Sequence, residues 1–176
     1  MNIPLDRNQP EKSETLTYTI FSSPFGKTGV AVTPFGICRV VLSVLKESDF
    51  VEILKILHPS PIKQPNQLKP IEKEFNLYFD KKLKIFSFKP DLRQGTLFQK
   101  KVWNKLISIP FGKTRSYKWL ANAIGEPKAF RAAGNANGKN PIPLIAPCHR
   151  VIRENGHLGG FTGGSHLKQY LLNIEK

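Results

Sequence analysis

Between positions 15 and 44 the chain reads TLTYTIFSSPFGKTGVAVTPFGICRVVLSV, with Thr, Tyr, Ile, Val and Phe interrupted by Gly and Pro. β-Branched and aromatic residues suit a pleated, half-buried surface, so this stretch predicts strands joined by tight turns, with SPFGKTGVAV and TPFGICRVVL as successive hairpin arms. The period then changes. ESDFVEILKILH sets Phe50, Val51, Ile53, Leu54 and Leu57 at helical spacing and is stopped by HPSP. QLKPIEKEFNLYFD places Leu68, Ile71, Phe75 and Phe79 on one helical face, and LKIFSF reads as a short strand. KPDLRQGT has the turn chemistry of a linker. Beyond it, LFQKKVWNKLISI carries Phe98, Val102, Leu106 and Ile109 in one stripe, with Lys100, Lys101 and Lys105 off it. Residues 116–137 predict a helix through Ala123, a sharp turn at 125–127, and a second helix holding Ala129, Arg131, Ala132, Ala133 and Ala136. A helix-turn-helix and a plain helical hairpin both fit that pattern.

The expected organisation is therefore α+β with two domains. Residues 1–14 form a flexible tail, 15–89 an α/β domain, 90–96 a linker, and 97–176 a mostly helical domain. A chain of 176 residues with 40% hydrophobic residues has enough material for such cores.

Charge adds a partner. The net charge of +14 is concentrated in the second half, where residues 91–176 carry 14 Lys and Arg against 4 Asp and Glu. Residues 1–90 carry 13 against 9. A basic half suits nucleic acid or an anionic membrane surface. No apolar run approaches bilayer length, and the polar start MNIPLDRNQPEK has neither region of a signal peptide, so a cytoplasmic protein is expected. The two cysteines, Cys38 and Cys148, lack a second cysteine or paired histidines at ligand spacing, so free thiols and no metal are expected. Cys38, alone among Ile and Val, reads as a small buried hydrophobe.

The stretch 141–156, PIPLIAPCHRVIRENG, sets Cys148 beside His149. A free thiol, with a pKa of about 8.5, is mostly protonated at neutral pH and needs a base or a positive field to react. Neighbouring side chains on an extended chain point to opposite faces, so direct pairing requires a turn or a bridging water. By itself the dipeptide only permits a reactive cysteine.

Its surroundings carry more. FQKKVWNKLISIPFGKTRSY, LANAIGEPKAFRAAGNANGKNPIPLIAPCHRVI, GHLGGFTGG and LKQYLLNIE follow one another in an order and spacing that resemble the C-terminal domain of the O6-alkylguanine-DNA alkyltransferases, over roughly 97–176. The first half is similar to that family's variable N-terminal domain only in texture and length. The resemblance implies an RNase-H-like sheet-plus-helices domain followed by a winged helix-turn-helix domain. It implies a monomeric DNA repair protein, without cofactor, consumed by its own reaction. Cys148 would take the alkyl group from O6 of guanine in duplex DNA, and possible O4-alkylthymine activity falls in the same class. His149 would act on Cys148 through an ordered water and Glu175 would orient His149, the orienter–base–nucleophile logic of a triad. Asn140 would hold the active-site turn.

The target base must leave the stack, so the resemblance further assigns Arg131 as an intercalating finger and Tyr117 to the phosphate and the guanine edge. Ser116, Ala129, Ala132, Ala133 and Gly134 join them as the DNA-facing surface, with Ala136 adding to the slim helix. For the base pocket it implies the Thr162 amide, a Phe161 wall, the Cys148 and Val151 carbonyls, Gly160 and Pro143. Where some members carry Tyr, Phe161 here lacks a hydroxyl. Competing readings are a lesion-binding protein without transfer activity, a winged-helix regulator, and a cysteine hydrolase. The first lacks an acceptor cysteine in known members, whereas Cys148 is present.

Overall fold

The computed structural model describes residues 15–176, and the expected tail at 1–14 lies outside them. Three antiparallel strands open the described chain: β1 (Thr17–Ser23), β2 (Gly26–Thr33) and β3 (Gly36–Val44). Two-residue turns at 24–25 and 34–35 join them, where the sequence repeats Pro-Phe-Gly. After α1 (Glu47–Lys55), the two-residue β4 (Ile62–Lys63) pairs parallel with β1, giving the order β3-β2-β1-β4. The hydrophobic pattern gives no sign of β4. It lies between Pro61 and Pro65, residues tolerated only because the strand sits at a sheet edge.

Next comes α2 (Lys69–Phe79), with Ile71, Phe75, Tyr78 and Phe79 buried. The strand expected over LKIFSF does not form. The edge of β3 is already taken by the following segment, since Ile37 N donates to Lys89 O at 2.9 Å and Asp91 N to Ile37 O at 2.8 Å. Ile85 is left 82% exposed, while Ser87 N donates to Glu74 Oε2 at 2.9 Å.

The second half is mostly helical. α3 (Leu97–Ile107) starts at Thr96 with a reciprocal capping box to Gln99. β5 (Arg115–Ser116), α4 (Tyr117–Ala123) and α5 (Phe130–Gly138) follow, then a 3₁₀ turn (Cys148–Arg150), β6 (Val151–Ile152) and α6 (Gly164–Ile174). β5 and β6 pair in parallel. The fold is α+β, with six α-helices among the described residues. None of those helices is long and apolar enough to cross a membrane.

Strand alternation divides the core. Val30 and Ile37 face α2 and the helices of the second half, whereas their neighbours Ala31 and Cys38 face Phe50 and Leu54 of α1. The larger cluster continues unbroken from Phe75 and Phe79 to Val102, Leu106, Ile142 and Leu171, so apolar contact joins both halves of the chain. A backbone bond from Val40 N to Pro141 O, 2.8 Å, ties edge strand β3 to the segment that leads to Cys148.

Candidate active site

Cys148 opens a 3₁₀ turn rather than an extended segment, and Cys148, His149 and Arg150 are all buried. Pro147, with φ −77°, precedes the turn; its carbonyl accepts from Arg150 N at 3.0 Å, and Cys148 N donates to Ala146 O at 2.8 Å. Asn140 closes the loop before it. Its Nδ2 donates to Ala146 O at 2.6 Å and its Oδ1 accepts from Ile142 N at 3.1 Å. Burial pushes the Cys148 thiol up, opposed by a hydrogen bond from Asn140, the Lys168 charge and nearby backbone N–H groups. The thiol is therefore the resting form, and forming the thiolate requires a base.

His149 follows Cys148 in the 3₁₀ turn with no exposed surface, and its Nε2 is 2.8 Å from Glu175 Oε1. A carboxylate only accepts, so Nε2 carries the proton and Nδ1 holds the free lone pair. Nδ1 is buried and has no hydrogen-bond partner among the described residues. Burial lowers the pKa of His149, and the hydrogen bond to Glu175 recovers only part of the loss, so a neutral imidazole is favoured.

Glu175, at the C-terminal end of α6, is 4% exposed rather than solvated. Burial alone raises its pKa. Hydrogen bonds from His149, Arg150 and Tyr78 outweigh burial and hold the carboxyl well below the usual range. Arg150 donates from Nη2 to Oε1 and from Nε to Oε2, both at 2.8 Å, and Gly112 N reaches Oε2 at 3.1 Å.

A pocket of about 260 Å³ opens over the thiol. Asn140, Pro143, Phe161 and Thr162 line it from the second half, while Arg39, Leu42 and Ile53 close it from the first. Beside it runs an exposed groove bounded by Tyr117, Phe130, Arg131, Gly134, Arg153 and Gly160. Tyr117 is half-buried, with its ring against Gly134 and its hydroxyl 3.5 Å from Gly160 O. Burial raises its pKa, so it stays a phenol and a proton donor. Arg131 is exposed on α5, with its guanidinium 5.8 Å from the Phe130 ring.

The expected DNA-facing surface is only partly on that face. Ala133 and Ala136 have 0% and 4% exposure and belong to the core, so the open face is Arg131, Ala132, Asn135 and Gly138. Helical spacing gives the reason, because Ala133 and Ala136 are three apart on the side packed against α3, where Trp103 Nε1 donates to Ala136 O at 2.8 Å. Ala129 is the residue before α5, and Ser116 caps α4 by accepting from Trp119 N. The Val151 carbonyl already accepts from Lys168 Nζ at 2.6 Å.

Four residues at this site belong to no functional motif in the sequence. Arg150 was visible only as the last letter of PCHR. Lys168, fully buried on α6, also donates to the Leu158 and Gly160 carbonyls and so holds the glycine loop; its signal is a lysine at a core position next to Leu167. Tyr78 looks like one more aromatic of a helix stripe, and Arg39 like an ordinary strand residue.

Residues 97–176 match the family model for the 6-O-methylguanine DNA methyltransferase DNA binding domain. Over 160 residues the chain is 39% identical to the constitutive methylated-DNA–protein-cysteine methyltransferase of Bacillus subtilis, covering 90% of this chain and 94% of that one. The corresponding protein of Methanosarcina acetivorans is 40% identical over 158 residues, 90% of this chain and 97% of its own. Among solved structures, the Mycobacterium tuberculosis OGT in complex with DNA superposes with a TM-score of 0.79 at 37% identity, covering 91% of this chain and 92% of that one. With this likeness running through both halves, the chain belongs to the methylated-DNA–protein-cysteine methyltransferase family.

Proposed function

We propose that this protein repairs alkylated DNA by direct reversal, moving the alkyl group from O6 of guanine in duplex DNA to Cys148. The observation that carries this is the placement of Cys148 in a pocket beside an exposed groove, next in the chain to a buried His149 that pairs with Glu175 and whose Nδ1 has no hydrogen-bond partner among the described residues. Neutral His149 takes the thiol proton through a bridging water. The thiolate attacks the alkyl carbon, the new S–C bond forms as the C–O6 bond breaks, and the departing electron pair stays on guanine. Guanine is restored when it takes up a proton, with the Tyr117 phenol as the donor at its edge. The thioether cannot be hydrolysed, so each molecule acts once. Neutral His149 and anionic, fully bonded Glu175 are the protonation states this relay requires.

The glycine loop and Arg131 suit the extrusion that the reaction needs, since O6 inside a stacked duplex is out of reach of a buried thiol. Arg131 fills the vacated place in the stack, and the lysines and arginines of the second half supply sequence-independent phosphate contacts. The parallel β4 on the antiparallel β3-β2-β1 sheet supports an RNase-H-like first domain over 15–89. The α4–α5 pair with its small β5–β6 ribbon supports a winged helix-turn-helix in the second, over 97–176, with 90–96 between them. The reading includes a monomer that acts in the cytoplasm without a cofactor.

The test is direct. Incubate the protein with duplex DNA bearing O6-methylguanine and weigh the intact protein and its peptides. One added methyl on the Cys148 peptide, at no more than one equivalent, agrees with the proposal. Tight lesion binding with no mass gain favours a lesion sensor, and repeated turnover rules out a single-use acceptor. Cys148→Ala must bind DNA and transfer nothing.

A further inference from the structure

Glu175 receives a hydrogen bond from a residue 97 positions earlier. Tyr78, on α2 in the first half of the chain, donates its hydroxyl to Glu175 Oε1 at 2.7 Å. The same oxygen accepts from His149 Nε2, and the Tyr78 hydroxyl stands 3.5 Å from that nitrogen. The tyrosine is fully buried, and its ring is held edge-on by Phe79 and Phe111 and tilted against Phe86. A phenylalanine fills the same apolar space without bringing a hydroxyl that must find a partner. The hydroxyl therefore answers to Glu175, not to the packing.

We propose that Tyr78 is a positioning residue for alkyl transfer, aligning Glu175 against His149 from the N-terminal half of the chain. This rests on reading His149 as the base for Cys148. With Oε1 held between Tyr78 and Arg150, the imidazole has one acceptor position for Nε2–H, and its Nδ1 lone pair is directed away from Glu175. The groups acting on the His149–Glu175 pair are Arg150, Lys168 and Tyr78. Arg150 and Lys168 are cations, while Tyr78 is a neutral donor. Burial and the Glu175 charge push its phenol up, so it keeps its proton across the working range.

The experiment compares full-length wild type with Tyr78→Phe in single-turnover transfer from O6-methylguanine duplex DNA, at pH values from roughly 5.5 to 8.5. The expected result is a rate lowered about tenfold, the loss typical of one hydrogen bond to a charged group, with DNA affinity unchanged. The acid limb moves to higher pH, because Glu175 with one donor fewer stabilises the imidazolium better. An unchanged rate and limb overturn the proposal, as does a slower rate with an unmoved limb, which is what a packing role alone gives. A second measurement needs no variant. In the wild type, NMR is expected to find a slowly exchanging Tyr78 hydroxyl proton close to a Nε2-protonated His149 ring; a freely exchanging proton or the Nδ1–H tautomer overturns the assignment. Wild type that never alkylates Cys148 sinks the repair reading itself, whereas active wild type with an unmoved Tyr78→Phe profile sinks only this inference.

Discussion

Arg150 grips both oxygens of Glu175, with Nη2–Oε1 and Nε–Oε2 each at 2.8 Å and the two side chains 7% and 1% exposed. Its third contact, Nη1 to Ile109 O at 2.6 Å, locks the guanidinium to the turn that follows α3. The guanidinium neutralises the buried carboxylate, one of whose oxygens is shared with His149.

Removing the cation strands the anion. Arg150→Met is expected to destabilise the protein by about 3–5 kcal/mol, since a buried carboxylate is left without its counter-ion. Urea unfolding measures this as a lower midpoint, and Arg150→Met/Glu175→Gln should recover part of the loss. A single variant as stable as wild type contradicts the structural role given to the pair.

Stability should fall on the acid side in two stages. His149 is held below its ordinary 6.5 and Glu175 below its ordinary 4.5. In each case the unfolded chain binds the proton first, so the contribution is complete above about pH 6.5 and declines below it, with a further decline below about 4.5. Urea midpoints from neutral to acid pH report both steps. A flat profile over that range contradicts the buried states assigned here.

Lys168 acts in the alkaline range. Burial pushes its ammonium down to about 8 from 10.5, so between those values the folded protein has released a proton that the unfolded chain retains. Its contribution to stability therefore rises with pH in that window. The difference between wild type and Lys168→Met isolates it from the other groups that ionise at alkaline pH. A difference that stays constant with pH removes the assignment.

Arg131→Ala should slow repair of duplex DNA far more than alkyl transfer from a free O6-alkylguanine base, because the free base needs no extrusion. Single-turnover rates on the two substrates give the ratio. Equal losses on both deny Arg131 the finger role.

Gly159 has φ +70°, and a Cβ there lies 2.7 Å from the Tyr117 hydroxyl. Gly159→Ala thus combines left-handed strain with a clash at a proposed proton donor. Transfer should drop by about tenfold or more, for a strain cost of about 1–3 kcal/mol. That strain lies in the folded state, so the urea midpoint should fall by a matching amount, and transfer is compared where both proteins are fully folded. Unimpaired transfer argues against a fixed Tyr117–loop contact.

Local pattern made much of the fold legible. The Pro-Phe-Gly turns and β-branched runs specify β1–β3, and the apolar stripes specify α1, α2 and α3, because both periods arise from backbone geometry within a few residues. β4 was invisible, since two residues between prolines have no periodicity and exist as a strand only because β1 offers an open edge. LKIFSF has strand composition, but the β3 edge beside it is taken by residues 89–91.

At the site, the order of motifs around PCHR identified Cys148, His149, Asn140, Tyr117, Arg131 and Glu175 as candidates. The residues that make the buried pair workable were not identified. Arg150, Lys168 and Tyr78 matter through what they face, and nothing in a single sequence says that Tyr78, unlike Phe75 or Phe79, points its polar end at a carboxylate 97 positions away. Ala133 shows the same limit in reverse, for a small residue suits either a groove or a core until α3 packs against it. The sequence by itself nominated the candidate residues for chemistry and determined β1–β3 and α1–α3, because these depend on side-chain type and short-range period. Only the tertiary structure decided which polar groups share an oxygen, which lose their water and which half of the chain supplies them, because desolvation and hydrogen-bond geometry arise from contacts between distant segments.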